Sequence, residues 1–204
     1  MALVEELISS GYLKSSEIIN AFRKIKRRDF ISSESQEQAE GNYPLDIGYG
    51  QTISQPLTVA FMLELLEPKP GEKILDVGSG SGWTTALLAE IVGNAGKVFA
   101  LERIPELKKF GEKNTSKYNF VSSGRAEFIC GDGYRGLSEQ APFDAILISA
   151  AAEKVPEPLV NQLKAGGRMV IPVGHNIKLV IKKQDGRLDT KDFFGFSFVP
   201  LVEE

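Results

Sequence analysis

Two carboxylates flanking a glycine-rich turn stand in an order that suits a nucleoside ligand. Asp76 opens the run Asp76-Val77-Gly78-Ser79-Gly80-Ser81-Gly82, and Glu102 lies twenty residues beyond Gly82. Glycine at 78, 80 and 82 lets a ligand approach a backbone that a Cβ would shield, and it permits turn angles that other residues resist. A carboxylate at the tip of the next strand can accept hydrogen bonds from both hydroxyls of a ribose. Asp132, in Gly131-Asp132-Gly133, could accept from the exocyclic amine of adenine, although an ordinary Asp-Gly turn uses the same residues. Ser54 precedes Gln55-Pro56, where a hydroxyl serves equally as a helix N-cap or as a donor to an anion at a helix start.

These residues need strands and helices to bring them together. Apolar runs predict strands over Lys73 to Val77, Lys97 to Glu102, Ala126 to Cys130, Ala145 to Ser149 and Arg168 to Pro172. Helical patterns fall between them, over Trp83 to Val92, Pro105 to Tyr118 and Pro156 to Leu163. That alternation predicts a mostly parallel sheet with helices on both faces, and ligands in such sheets sit at the carboxyl ends of the strands. A late antiparallel pair is expected from Ile177 to Lys183 and Phe193 to Val199, joined by Gln184-Asp185-Gly186-Arg187. Residues 1 to about 35 read as a helical extension broken at Ser9-Ser10-Gly11, 36 to 56 as a loop, and Leu57 to Glu67 as a helix. One domain over 1–204 is expected: extension and loop (1–56), core (57–174) and terminal strands (175–204).

The turn discriminates between ligands. A dinucleotide fingerprint, G-x-G-x-x-G, would place glycine at 83, where this chain has Trp83, so a pyrophosphate on the helix N-terminus is poorly accommodated. Composition narrows the class further. The chain has 204 residues, 42% of them hydrophobic, enough for one substantial α/β core. A net charge of −3 offers no broad basic surface for nucleic acid, and Lys24-Ile25-Lys26-Arg27-Arg28 reads as the solvated end of a helix. The single cysteine, Cys130, excludes an internal disulfide, suits a reducing cytoplasm and reads as a small core residue. No apolar run approaches a membrane span, the start lacks the pattern of a signal peptide, and no cluster has metal-ligand spacing. The only histidine, His175, follows Gly174 in an expected turn and is a poor candidate for a base.

The run from Asp76 to Gly82 resembles motif I of S-adenosylmethionine-dependent methyltransferases, whose glycines pass beneath a cofactor without phosphates. The segment Pro44-Leu45-Asp46-Ile47-Gly48-Tyr49-Gly50-Gln51-Thr52-Ile53-Ser54-Gln55-Pro56 closely resembles the signature of protein-L-isoaspartate O-methyltransferases. Similar matches follow in family order at Ala141-Pro142-Phe143-Asp144, Gln162 to Arg168, Ile171-Pro172-Val173-Gly174 and Phe198-Val199-Pro200-Leu201. The resemblance implies a Rossmann-like methyltransferase sheet with an N-terminal helical extension. It also implies methyl transfer from S-adenosyl-L-methionine, leaving S-adenosyl-L-homocysteine, to the free α-carboxylate of isoaspartyl residues in damaged proteins. The ester formed closes to a succinimide that hydrolyses partly to aspartate.

Cofactor contacts are then expected from Asp76, Gly78, Ser79, Gly80, Gly82, Glu102, Arg103, Asp132 and Gly133. Ser54 becomes the active-site residue, with Ile53, Val199 and Leu201 beside it at the substrate. No metal is implied, and the partners are isoaspartyl proteins and peptides met by a cytoplasmic monomer. A carboxylate acceptor is ionised near neutral pH, so the scarcity of bases is compatible with the chemistry. Three places depart from the family pattern: Ser32 where a proline is common, Ala39-Glu40-Gly41-Asn42 before the loop, and Val202 after Leu201. Two rivals stay open, a methyltransferase with another acceptor and a cofactor-bound adaptor without turnover.

Overall fold

The computed structural model describes residues 3–203. In chain order the elements are α1 (Leu3–Ser9), α2 (Ser16–Lys24), β1 (Leu45–Gly48), β2 (Gln51–Ile53), α3 (Pro56–Leu66), β3 (Lys73–Val77), α4 (Trp83–Val92) and β4 (Lys97–Glu102). There follow α5 (Pro105–Ser116), β5 (Ala126–Cys130), β6 (Phe143–Ile148), α6 (Glu157–Gln162), β7 (Leu163–Val173), β8 (Asn176–Lys182) and β9 (Leu188–Phe194). Short 3₁₀ turns occupy Arg27–Phe30, Ser33–Gln38 and Ser138–Gln140.

Seven strands form one sheet in the order β5-β4-β3-β6-β7-β8-β9. β5 through β7 run parallel, and β8 and β9 are antiparallel additions at one edge. Strands buried on both faces read as continuous apolar runs, which is why β3 and β4 have the bounds expected from sequence; β5, at the sheet edge, has its expected bounds with alternating burial. Alternate residues feed two cores. Ile74, Val98, Ala145 and Val170 face a core shared with α1 to α4, whereas Leu75, Phe99, Ile146 and Met169 face one closed by Leu159 of α6.

The N-terminal extension covers α4, a helix buried nearly all round. α2 buries Ile18, Ala21 and Phe22, and Phe22 meets Trp83 of α4 edge to face with ring centroids 5.5 Å apart. Such a pair adds about 0.5–1.5 kcal/mol beyond burial. The chain passes from β3 to β4 on one side of β3 and returns through β6 on the other. The sheet therefore changes direction at β3, and a crevice forms outside the strand ends there.

Four expectations need correction. The stretch 36–56 contains a hairpin, β1 against β2, whose tip Gly48-Tyr49-Gly50 has φ of 88°, 58° and 69°. The last strand is Leu188–Phe194 and not Phe193 to Val199. As an exposed edge strand it needs no apolar face, and the apolar residues after it are irregular chain returning to the crevice. Arg27 belongs to no solvated helix end, for α2 stops at Lys24 and Arg27 is only 4% exposed. Cys130 is exposed, its thiol 3.6 Å from the Arg103 carbonyl: it shares the face of Ala126 and Phe128 but ends the edge strand β5, beyond the part of that face that is buried.

Candidate active site

One cavity lies at the crevice, lined by the turn from Gly78 to Ser81, by Leu101 to Ile104, by Gln51 to Ser54 and by Val199 to Val202. Gly133, Ser149, Ala150 and Trp83 are also on its wall. The turn between β3 and α4 is held from below: Gly78 N–H and Ser79 N–H both donate to the Leu101 carbonyl, at 2.8 and 3.2 Å. Gly78, Gly80 and Gly82 have φ of 74°, 50° and 85°, so the alternating glycines let the chain turn sharply before the helix.

Glu102 is 6% exposed and lies at the tip of β4, on the cavity wall. Its Oε2 accepts from Gly80 N–H at 2.9 Å and its Oε1 from Ile104 N–H at 3.0 Å. Each carboxylate oxygen has two acceptor positions, so capacity remains for a pair of ligand hydroxyls. The sequence did not signal the bond to Gly80, which ties the second carboxylate of the motif to the turn it serves. Ser79 Oγ, also on the wall, is buried without a hydrogen-bond partner. An unpartnered buried hydroxyl beside a glycine cradle and a carboxylate suits a polar, uncharged nucleoside group.

Asp76 is fully buried beneath the turn and does not line the cavity. Thr84 Oγ1 and Thr85 Oγ1 donate to its Oδ2 at 2.8 and 2.6 Å, while Oδ1 has no partner. Burial pushes its carboxyl up to about 6; the two hydroxyls oppose the shift and the Glu102 charge adds to it. A folded value above the ordinary 3.8 means that the native state binds the proton more tightly. The associated stabilisation is present below the ordinary value and is lost as pH rises through about 6. The protein is therefore expected to lose about 1 kcal/mol relative to Asp76→Asn between about pH 5 and pH 7. Urea titrations of both proteins check this, and a pH-independent difference removes Asp76 as the cause.

Asp132 adopts the turn geometry, with Oδ1 accepting from Tyr134 N–H at 2.8 Å and Oδ2 3.2 Å from Arg135 Nε. It does not line the cavity, although its neighbour Gly133 does, packed so that a Cβ would meet Val77 Cγ1 at 2.7 Å. Arg103 is exposed at the rim. Ser54 is half-buried and opens on the cavity. Gln55 takes the N-cap position of α3 and Pro56 starts the helix, so the Ser54 hydroxyl caps nothing. Ile53, Val199 and Leu201 line the same cavity, with Leu201 also packed against Gly133. The returning tail is pinned there by paired bonds of 2.7 Å, Ala151 N–H to the Val199 carbonyl and Leu201 N–H to the Ala151 carbonyl.

The cavity thus joins the glycine turn and Glu102 to a hydroxyl-bearing loop without a histidine or a lysine on its wall. Among the described residues no group of three or more His, Cys, Asp or Glu could hold a metal ion, and no helix is long and apolar enough to cross a membrane.

Comparison with known proteins extends the likeness over the whole chain. The family model for protein-L-isoaspartate(D-aspartate) O-methyltransferase matches residues 1–204. A protein-L-isoaspartate O-methyltransferase of Aeropyrum pernix is 44% identical over 100% of this chain and 79% of its own. One of Methanopyrus kandleri is also 44% identical, over 99% and 90%. Among solved structures, a Plasmodium falciparum chain in complex with S-adenosyl-L-homocysteine superposes with a TM-score of 0.89 at 27% identity, covering 99% of this chain and 97% of that one.

Proposed function

Because the chain belongs to the protein-L-isoaspartate(D-aspartate) O-methyltransferase family, we propose that it methylates the free α-carboxylate of L-isoaspartyl residues in damaged proteins, using S-adenosyl-L-methionine. The observation that carries this reading is the single cavity shared by the glycine turn, Glu102 and the Ser54 loop. A methyl donor and a peptide carboxylate can meet there without crossing solvent.

The cofactor supplies a methyl group on a positive sulfur that leaves as a neutral thioether. In this proposal Glu102 accepts the ribose hydroxyls, the turn from Gly78 to Gly82 lies under the amino-acid portion, and Gly133 admits the adenine ring, with Asp132 and Arg103 at its edge. Asp76 acts from beneath, by fixing Thr84 and Thr85 at the start of α4. Ser54 and neighbouring backbone donors hold the acceptor carboxylate, while Ile53, Val199 and Leu201 exclude water beside it. The carboxylate oxygen forms the new bond as the carbon–sulfur bond breaks, and the sulfur keeps the bonding pair. No proton moves at the acceptor, so the chain needs to supply alignment and desolvation but no base. A net charge of −3 and one exposed cysteine support a cytoplasmic protein that does not engage nucleic acid, and we assign it as a monomer.

The test is a matched pair of peptides, one with L-isoaspartate and one with L-aspartate at the same position, incubated with labelled cofactor. The pair differs in which carboxylate is free and in one backbone methylene, so selectivity requires a site that reads the path of the main chain. Ester formation is expected on the isoaspartyl peptide alone. Equal labelling of both, or of neither with cofactor demonstrably bound, rejects the assignment.

A further inference from the structure

Arg27 is a buried cation without a buried anion to match it. Its guanidinium donates to four backbone carbonyls and to no carboxylate: Nη1 to Ala39 and Gly41 at 3.1 and 3.0 Å, Nη2 to Tyr43 and Ser54 at 2.8 and 3.3 Å. Burial lowers its affinity for the proton, to about 10, against the opposing effects of Tyr43 and Glu40; it is still a cation at neutral pH. Glu40 is exposed and makes no bond to it. A face of the guanidinium rests on Trp83, with Cζ 5.6 Å from the ring centroid, and Trp83 lines the cavity.

A desolvated charge held by carbonyl dipoles and one aromatic face is costly unless an opposite charge completes it. The four carbonyls fix the chain from Ala39 to Tyr43 against Ser54, and the cation is bonded to the carbonyl of Ser54, a residue that lines the cavity. Arg103 is the one basic residue on the cavity wall, and it is exposed. An anion placed at Ser54 therefore finds its nearest buried positive charge in Arg27.

We propose that Arg27 is a positioning residue for the acceptor: through the Ser54 peptide it both orders the acceptor loop and supplies the positive charge that favours a carboxylate at Ser54. This rests on the carboxylate-methylating function proposed above. The planar fork explains why arginine is needed, because a lysine ammonium cannot reach carbonyls on four sides at once.

The test measures binding and not turnover. Calorimetry is run on the enzyme saturated with S-adenosyl-L-homocysteine, using a peptide with L-isoaspartate and its isosteric twin in which the free carboxylate is a carboxamide. The unaltered enzyme is expected to prefer the carboxylate by about tenfold or more. Failure of that preference in the unaltered enzyme counts against the acceptor assignment itself. In Arg27→Gln the preference should fall to within about twofold, with S-adenosyl-L-homocysteine affinity within about twofold of normal. A merely structural role would weaken both peptides equally and leave the ratio unchanged, and that result overturns the proposal. Arg27→Lys keeps the charge and the apolar stem, so it remains informative where the glutamine variant does not fold. It should bind both peptides more weakly yet keep the larger part of the carboxylate preference; loss of that preference in a folded Arg27→Lys protein also overturns the charge role.

Discussion

Replacing Gly82 by alanine is expected to cost about 2–5 kcal/mol of stability, the sum of a left-handed backbone forced on a residue with a Cβ and of overpacking. Gly82 has φ of 85°, and a Cβ there would lie 2.6 Å from the Gly111 carbonyl oxygen and 2.7 Å from Thr115 Oγ1. The backbone of α5 cannot give way cheaply, because Asn114 Nδ2 donates to the Ser81 carbonyl and Thr115 Oγ1 to the Gly82 carbonyl, at 3.2 and 3.3 Å. The first turn of α4 would have to move instead. That turn bears the two threonines on Asp76, so affinity for S-adenosyl-L-homocysteine should fall together with stability. Gly124 is the control: its φ is 75°, but a Cβ would meet nothing within 4 Å. Chemical denaturation and calorimetry of both variants read the contrast. Equal destabilisation of Gly82→Ala and Gly124→Ala would show that close approach of α5 contributes nothing.

The half of the molecule built on β3, β4 and β5 was legible in the sequence because one physical rule governs it. β3, β4 and β5 are short apolar runs bounded by polar and glycine residues, and the motif residues follow their carboxyl ends, where a parallel sheet exposes its loops. The hairpin, the edge strand and the segment around Arg27 obey no such simple pattern. β1 and β2 are only four and three residues long, and their tip is a positive-φ run that sequence reads as a flexible loop. Leu188-Asp189-Thr190-Lys191-Asp192 has little apolar content because it forms an edge. Arg27 left no signature, since its partners are carbonyls that every residue carries. The same reasoning accounts for Asp132: adenine contact and a turn call for one residue type, and only geometry reveals the bonds to Tyr134 and Arg135.

Glu102→Ala should weaken S-adenosyl-L-homocysteine binding by about 1.5–3 kcal/mol, the scale of hydrogen bonds to a charged group, or roughly 10- to 150-fold. The carboxylate's existing bonds give the substitution a second effect beside a lost ribose contact. Removing it leaves Gly80 N–H and Ile104 N–H without their acceptor, so the glycine turn would loosen even if no ligand hydroxyl touched Glu102. A cofactor product lacking the ribose 2′-hydroxyl separates the two effects. If Glu102 acts only through the turn, the substitution weakens both ligands by the same factor. If it also accepts from the ribose, the deoxy ligand has already lost part of that contact, and Glu102→Ala should cost it less by about 1 kcal/mol or more. Calorimetry on the four combinations, with the melting temperature of the unliganded variant as a check on folding, measures that difference. A coupling near zero would confine Glu102 to holding the turn; a positive coupling makes the carboxylate at the tip of β4 the element that carries ligand recognition back into the backbone of the neighbouring strand.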